Sequence, residues 1–164
     1  TISVTILDDG ETISAKNGKD DVIGTDGGED ILEGGNGKDR IFGLDGADHL
    51  FGGNGKDLLD GGEGPDKLYG GNGKDTLLGG LGNDELTGGK GDDTFVLAPG
   101  QGTDSVLDFG VGGDLIGLDG LTFGDLSIGQ AGDDATISAN GELLAVLVGV
   151  DSTTLEEPDF VFVA

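Results

Sequence analysis

The sequence predicts an all-β protein: a flattened parallel solenoid of 18-residue coils followed by a small antiparallel β cap. Three observations carry the prediction. A nine-residue motif rich in glycine and aspartate recurs in register from residue 15 to residue 96. The hexapeptide GGNGKD starts at Gly34, Gly52 and Gly70, two motifs apart each time, so the true unit is a pair of motifs. Only 34% of the 164 residues are hydrophobic, too few for an ordinary globular core.

The first element is a short strand. Over residues 1–7 (TISVTIL), Ile2, Val4 and Ile6 alternate with Thr and Ser, the period-2 pattern of a strand with one buried face, and residues 1–14 are read as an N-terminal strand and cap. The repeat region follows over 15–98. The frame G-G-x-G-x-D-x-U-x, with U apolar, fits 34–42, 52–60, 61–69, 70–78, 79–87 and 88–96, and it fits 43–51 with one glycine lost. Looser copies at 15–23 and 25–33 precede these, separated by Gly24, and a decayed tenth copy is placed at 99–107. A coil of two glycine-rich turns and two short strands stacks odd copies on one edge and even copies on the other. The eighth residue of each copy (Val22, Leu32, Ile41, Leu50, Leu59, Leu68, Leu77, Leu86, Phe95) is expected to point into a thin interior as an aliphatic ladder.

Residues 99–164 read as ordinary β structure and are assigned to a C-terminal cap. Strands are expected at 103–109, 114–118 and 121–128. A hairpin follows, in which Ala135, Ile137 and Ala139 alternate with polar residues, Asn140-Gly141 supplies a type I′ turn, and Leu143–Val148 returns as a strand.

Charge then limits the functions open to the chain. Thirty-three acidic residues against 8 basic ones give a net charge of -25, which a compact fold tolerates only with cations. The same charge repels phosphate backbones and anionic lipid, so nucleic acid and membrane surfaces are excluded as partners. There is no cysteine, hence no disulfide staple and no zinc-thiolate site. The longest apolar stretch, Leu143–Val148, is too short to span a bilayer. The chain begins at Thr1 without a signal-peptide pattern and is expected to be a piece of a longer protein.

The repeat itself names the cation class. Glycines permit positive φ and carry no Cβ, so a loop can curl its carbonyl oxygens toward one spot. Aspartate at the sixth position (Asp20, Asp30, Asp39, Asp48, Asp57, Asp66, Asp75, Asp84, Asp93) adds a hard anionic oxygen. Calcium takes six to eight oxygen ligands at about 2.3–2.6 Å in flexible geometry, whereas magnesium needs a tighter octahedron. One loop offers too few ligands, but two loops stacked at a strand spacing of ~4.8 Å can share an ion that bridges coils. Solvated turn aspartates and a flexible glycine linker are the alternatives; the unbroken Asp register opposes the first, the apolar ladder the second.

On these residues the chain resembles the RTX (repeats-in-toxin) family of calcium-binding nonapeptide repeats. The resemblance implies a right-handed parallel β-roll. Each Ca2+ ion is then expected to take the carbonyls of positions 2 and 4 and the Asp of one loop, with the carbonyls of positions 1 and 3 and the Asp of the next loop on that edge. Carried onto the odd edge, the metal-binding residues are Asn17, Gly18 and Asp20; Gly34, Gly35, Asn36, Gly37 and Asp39; Gly52, Gly53, Asn54, Gly55 and Asp57; Gly70, Gly71, Asn72, Gly73 and Asp75; and Gly88, Gly89, Gly91 and Asp93. On the even edge they are Asp26, Gly28 and Asp30; Gly43, Asp45, Gly46 and Asp48; Gly61, Gly62, Glu63, Gly64 and Asp66; Gly79, Gly80, Gly82 and Asp84; and Asp104 of the tenth copy. Copies 15–23 and 25–33 depart from the pattern at positions 1 and 2. Four intervals on the odd edge and three on the even edge give seven ions, or eight with the tenth copy; seven add +14 to -25, leaving -11.

The family also implies a secreted, extracellular protein, export by the type I secretion apparatus of the producing cell, and a place at the C-terminal end of a larger toxin, protease, lipase or adhesin. TFVLAPGQGTDSVLDF resembles the exit from such a roll, and DFVFVA is similar to the ending of such secretion signals. Loops of weak affinity, with Kd on the order of 10⁻⁴ to 10⁻³ M, are expected to stay empty in the cytosol, leaving the chain unfolded, and to fill outside the cell.

Other features carry less chemistry. Lys19, Lys38, Lys56 and Lys74 hold position 5 of odd copies, where they either soften repulsion or bind an anionic polymer. Phe51 and Tyr69, at position 9 of consecutive even copies, are expected to support cross-strand packing or to form a carbohydrate or surface partner's contact. His49 is the only histidine, and one His with no Cys assembles no nucleophile-and-base set, so no catalytic residue is assigned. The rival reading is an adhesion or polysaccharide-binding surface module.

Overall fold

The computed structural model describes residues 3–5 and 12–163. Its strands are β1 (Ser3–Thr5), β2 (Thr12–Ser14), β3 (Asn17–Gly18), β4 (Asp21–Ile23), β5 (Ile31–Gly37), β6 (Arg40–Asp45), β7 (His49–Gly55), β8 (Leu58–Glu63) and β9 (Lys67–Gly73). They continue as β10 (Thr76–Leu81), β11 (Glu85–Gly91), β12 (Thr94–Leu97), β13 (Asp104–Val106), β14 (Leu115–Asp119), β15 (Leu126–Ala131), β16 (Asp134–Ala139), β17 (Glu142–Leu147) and β18 (Phe160–Val163). Each of β5–β11 joins the end of one nonapeptide to the start of the next, because the x-U-x segment of one copy runs straight into the first residues of its successor.

Two sheets result. One orders its strands β1-β4-β6-β8-β10-β12-β14-β18, every pair parallel. The other runs β2-β5-β7-β9-β11-β13-β17, also parallel, and closes with the antiparallel meander β17-β16-β15. This is the expected parallel roll of 18-residue coils with an antiparallel end. Asn140 (φ 54) and Gly141 (φ 86) make the turn between β16 and β17, both at positive φ as a type I′ turn requires.

The interior is a two-column ladder. Leu32, Leu50, Leu68, Leu86 and Val106 stack in register across one sheet, and Val22, Ile41, Leu59, Leu77, Phe95 and Ile116 across the other; all are fully buried. Each such side chain contributes about 1.5–3 kcal/mol when removed from water. The parallel ladders continue beyond residue 98 through β13, β14, β17 and β18.

Three local expectations meet a different outcome or fall outside the described residues. The strand expected over 121–128 begins only at Leu126, because Thr122 closes a capping box with Asp125 (backbone N–H to Oδ2 2.8 Å, hydroxyl to Oδ2 2.7 Å) and winds 123–125 into a 3₁₀ turn. The strand expected over 103–109 is confined to Asp104–Val106. Of the N-terminal strand, Ser3–Thr5 pairs with β4, while Ile2 and Ile6 lie outside the described residues.

Leu44 shows what a lost glycine costs. It fills position 2 of its copy and is held at φ 79, where the equivalent residues are Gly35, Gly53, Gly62, Gly71, Gly80 and Gly89. A side chain at left-handed φ costs roughly 1–2 kcal/mol, only partly offset by the roughly 0.5–1 kcal/mol of extra unfolded-state freedom a glycine brings. Leu44→Gly should therefore lower the calcium concentration at the folding midpoint, read by circular dichroism; an unchanged or higher midpoint would show that no strain resides there.

Candidate metal centre

The sixth-position aspartates form two buried columns, one per edge. Asp20, Asp30, Asp39, Asp48, Asp57, Asp66, Asp75, Asp84 and Asp93 are each at most 3% exposed. The link between coils is the same throughout: Oδ1 of one aspartate accepts the backbone N–H of the aspartate one coil earlier. On the odd edge Asp39, Asp57 and Asp75 receive Asp20, Asp39 and Asp57 at 2.8 Å, and Asp93 receives Asp75 at 2.8 Å. On the even edge Asp48, Asp66 and Asp84 receive Asp30, Asp48 and Asp66 at 2.7–2.8 Å.

The columns run further than the fixed repeat. Asp104 accepts from Asp84 at 3.2 Å, so the decayed tenth copy is in place. Asp114, which the sequence reading did not assign, accepts from Asp93 at 2.9 Å and is buried. It belongs to an eleventh copy at 109–117, with Gly110 (φ 94) and Gly112 (φ 132) at positions 2 and 4 and the buried Ile116 at position 8. The signal Gly-x-Gly-x-Asp-x-Ile was present, but 21 residues separate Asp114 from Asp93, where the repeat requires 18.

The second carboxylate oxygen is what makes the columns a candidate cation site. Oδ2 of Asp39, Asp48, Asp57, Asp66, Asp75, Asp84 and Asp93, and Oδ1 of Asp30, are buried with no hydrogen-bond partner. A buried ionised oxygen without a partner is strongly unfavourable, and eight of them in two rows call for positive charge between the coils. At the ends the protein supplies a donor itself: Thr25 gives its N–H and hydroxyl to Asp30 Oδ2, and Gly110 gives its N–H to Asp114 Oδ2.

Burial also pushes these carboxyls upward. Loss of water raises Asp48 to about 6 and Asp66 and Asp75 to about 7. Asp104, buried and beside Asp84, rises to about 8. Asp39, Asp57, Asp84 and Asp93 move in the same direction for the same reason.

Position-1 glycines hold the space next to those oxygens. A Cβ on Gly70 would lie 2.7 Å from Asp75 Oδ2 and 2.7 Å from the Gly88 carbonyl oxygen; one on Gly52 would lie 3.0 Å from Asp57 Oδ2 and 2.5 Å from Gly70 O. Carboxylate and next-coil carbonyl thus flank one small volume. Gly34, Gly43, Gly61, Gly79 and Gly88 sit equally close to the Oδ2 of their own copy's aspartate. Loop carbonyls also join the coil-to-coil ladder: Asp45 O accepts from Gly27 at 2.7 Å and Glu63 O from Gly46 at 2.8 Å, which leaves each a second lone pair.

The remaining assigned residues fall into the same stacks. Asn17 and Gly18 pair with Asn36 and Gly37, these with Asn54 and Gly55, and these with Asn72 and Gly73; Gly28 bridges Gly46. Gly35, Gly53, Gly71 and Gly89 stack on the odd edge, and Gly62 and Gly80 on the even edge. Gly64, Gly82 and Gly91 occupy position 4 at positive φ. The side chains of Asp26, Asp45 and Glu63 point to solvent, so only their carbonyls face the stack. Among the described residues no three His, Cys, Asp or Glu side chains converge; an ion here would draw most of its ligands from the backbone. His49 lies on an outer face between Ile31 and Lys67, and Phe51 stacks on Tyr69 at 4.9 Å with the rings 5° apart.

Residues 24–104 match the RTX calcium-binding nonapeptide repeat (4 copies) in five overlapping windows, 24–59, 33–68, 51–86, 60–95 and 69–104. No curated protein matches the chain. Among solved structures it is similar to the extracellular lipase LipA from Serratia marcescens (18% identity, TM-score 0.47), covering 88% of this chain and 40% of the lipase. It is also similar to a subunit of the mannuronan C5-epimerase from Azotobacter vinelandii (28% identity, TM-score 0.46), covering 90% of this chain and 80% of that one.

Proposed function

We propose, from the premise that the repeat segment of this chain belongs to the RTX calcium-binding nonapeptide-repeat family, that the roll is a calcium-driven folding module of a larger exported protein. The observation that supports this reading is the row of buried, partnerless carboxylate oxygens, one per coil on each edge. Without a cation those oxygens oppose the fold; with one between each pair of stacked loops they hold it together. When bound, calcium supplies the positive charge that the chain lacks. The chain's own part is to stack carbonyls and carboxylates at coil spacing, to keep water from the second oxygen, and to leave room beside position-1 glycines. Seven intervals lie between Asp20 and Asp93 and between Asp30 and Asp84, and Asp104 and Asp114 add one to each edge.

Secretion fits the same physics. In the low calcium of the cytosol the unneutralised chain, at net charge -25, stays extended and can thread a type I export channel. Extracellular calcium then folds it, opposes backsliding and templates an attached domain. The repeat module contributes no catalytic group of its own.

Sharing of ions between loops is tested by position. Asp57 borders two intervals between repeat aspartates on the odd edge, accepting from Asp39 and donating to Asp75, whereas Asp20, the first repeat aspartate of that column, borders one, donating to Asp39. Asp57→Ala leaves the Asp39 N–H buried without a partner, worth about 1–3 kcal/mol before any ligand loss. It should raise the calcium midpoint more than Asp20→Ala does. Equal midpoints for the two variants would contradict shared sites.

A further inference from the structure

The two edges of the roll carry the same buried aspartate column but opposite surface chemistry. Of the 8 basic residues in the chain, six (Lys16, Lys19, Lys38, Lys56, Lys74, Lys90) lie on the odd edge, all exposed. The other two, Arg40 and Lys67, sit on the sheet faces and are paired with Asp21 at 2.8 Å and Glu85 at 3.5 Å. Among the described residues none of the six edge lysines makes an ion pair. The lysines at position 5 run from copy one to copy seven and give way to the exposed Asp92 in copy nine; the even edge holds Glu29, Ala47, Pro65 and Asn83 at position 5, and adds Asp26, Asp45 and Glu63. It manages its aspartate column without a single lysine, so relief of repulsion does not explain the lysines of the odd edge.

Their spacing is set by the backbone. Lys38, Lys56 and Lys74 each donate their N–H to the position-4 carbonyl one coil earlier (Gly18, Gly37, Gly55; 3.2–3.3 Å), which places them one above another at a strand spacing of ~4.8 Å. Like charges directly stacked in this way are destabilising unless an anion lies along them. Beside the column runs a ladder of exposed amides: Asn36 donates to Asn17 Oδ1 at 2.9 Å, Asn54 to Asn36 at 2.8 Å and Asn72 to Asn54 at 2.8 Å. Asn36 spends its second N–H on the Lys16 carbonyl at 3.4 Å, whereas Asn54 and Asn72 each keep a second N–H and a second lone pair for a ligand's hydroxyls. A shallow groove of about 280 Å³ follows the lysines on the other side, lined by Lys38, Lys56, Arg40, Leu58 and Thr76 with Asp39 and Asp57.

We infer that the odd edge binds a linear acidic glycan, laid along the roll axis with a carboxylate at each lysine and hydroxyls on the asparagine ladder. Regular single charges suit a polyuronate, whose monomer length is of the order of the coil spacing. A duplex nucleic acid carries a charge per ~1.7 Å, about three times the density that lysines spaced at ~4.8 Å can match one for one. The inference rests on the roll being folded by calcium, and the test reads that separately.

The probe is a defined-length oligogalacturonate, titrated by calorimetry against the calcium-loaded chain at fixed free calcium, with circular dichroism recorded on each sample. Binding should weaken with salt and fall at least ~10-fold in a variant carrying Lys19→Gln, Lys38→Gln, Lys56→Gln and Lys74→Gln. Lys67→Gln should bind as the parent does. If the fourfold variant does not reach the folded spectrum, the double variant Lys38→Gln, Lys56→Gln carries the comparison. Absence of binding by a folded parent, undiminished binding by a folded lysine variant, or equal or tighter binding of poly-L-glutamate or duplex DNA would each overturn the assignment. A parent that shows no β spectrum at that calcium overturns the folding reading instead.

Discussion

In EGTA near neutral pH the chain is expected to give a disordered circular dichroism spectrum, and about 5 mM calcium to convert it cooperatively to β structure while magnesium does so far less. The expectation follows from the orphaned oxygens of Asp39, Asp48, Asp57, Asp66, Asp75, Asp84 and Asp93, which are shut away from water with nothing to neutralise them. Cooperativity follows from topology, because each interval has half of its oxygens on a neighbouring coil. Protons should partly substitute for calcium. The folded-state carboxyls of Asp48, Asp66, Asp75 and Asp104 titrate near 6, 7, 7 and 8, well above their unfolded values. A group raised on folding stabilises the fold below its unfolded pKa and loses that contribution as pH rises through the folded one. Lowering pH from about 8 to about 5 in EGTA should therefore recover part of the β signal. A full β spectrum in EGTA at pH 8, or a magnesium response equal to that of calcium, would refute the reading.

Removal of residues 99–164 should damage the roll itself, because the region continues both ladders. Val106 and Ile116 cover Leu86 and Phe95, Leu118 covers Leu97, and Phe109 packs its ring 6.3 Å from that of Phe95. Exposing Leu86, Phe95 and Leu97 costs roughly 5–9 kcal/mol if each loses about 1.5–3 kcal/mol of burial. The backbone N–H groups of Asp84 and Asp93 also lose Asp104 and Asp114, and those of Gly88 and Gly89 lose the carboxylate of Asp108. A chain ending at residue 98 should need much more calcium to fold, with amide exchange protection lost first over 79–97. Folding at the parent's calcium concentration with equal protection there would leave the C-terminal region without a capping role.

Sequence alone determined the coil, its two edges, the ladder and the aspartate columns, because all of these repeat within a local frame: a turn that needs glycine, one acid, one inward side chain. Tertiary structure decided what the frame does not contain. It set which carboxylate oxygen is used between coils and which is left for a cation, since the backbone N–H that occupies Oδ1 comes from a residue 18 positions away. It also revealed Asp114 and the eleventh copy, which a strict nine-residue search passes over because intervening insertions stretch the spacing to 20 and then 21 residues while the stacking contact persists. The asymmetry between a lysine-and-amide edge and an acidic one is written in the sequence at positions 3 and 5. It becomes a surface only when alternate copies stack, and the groove beside it exists only because two coils lie side by side.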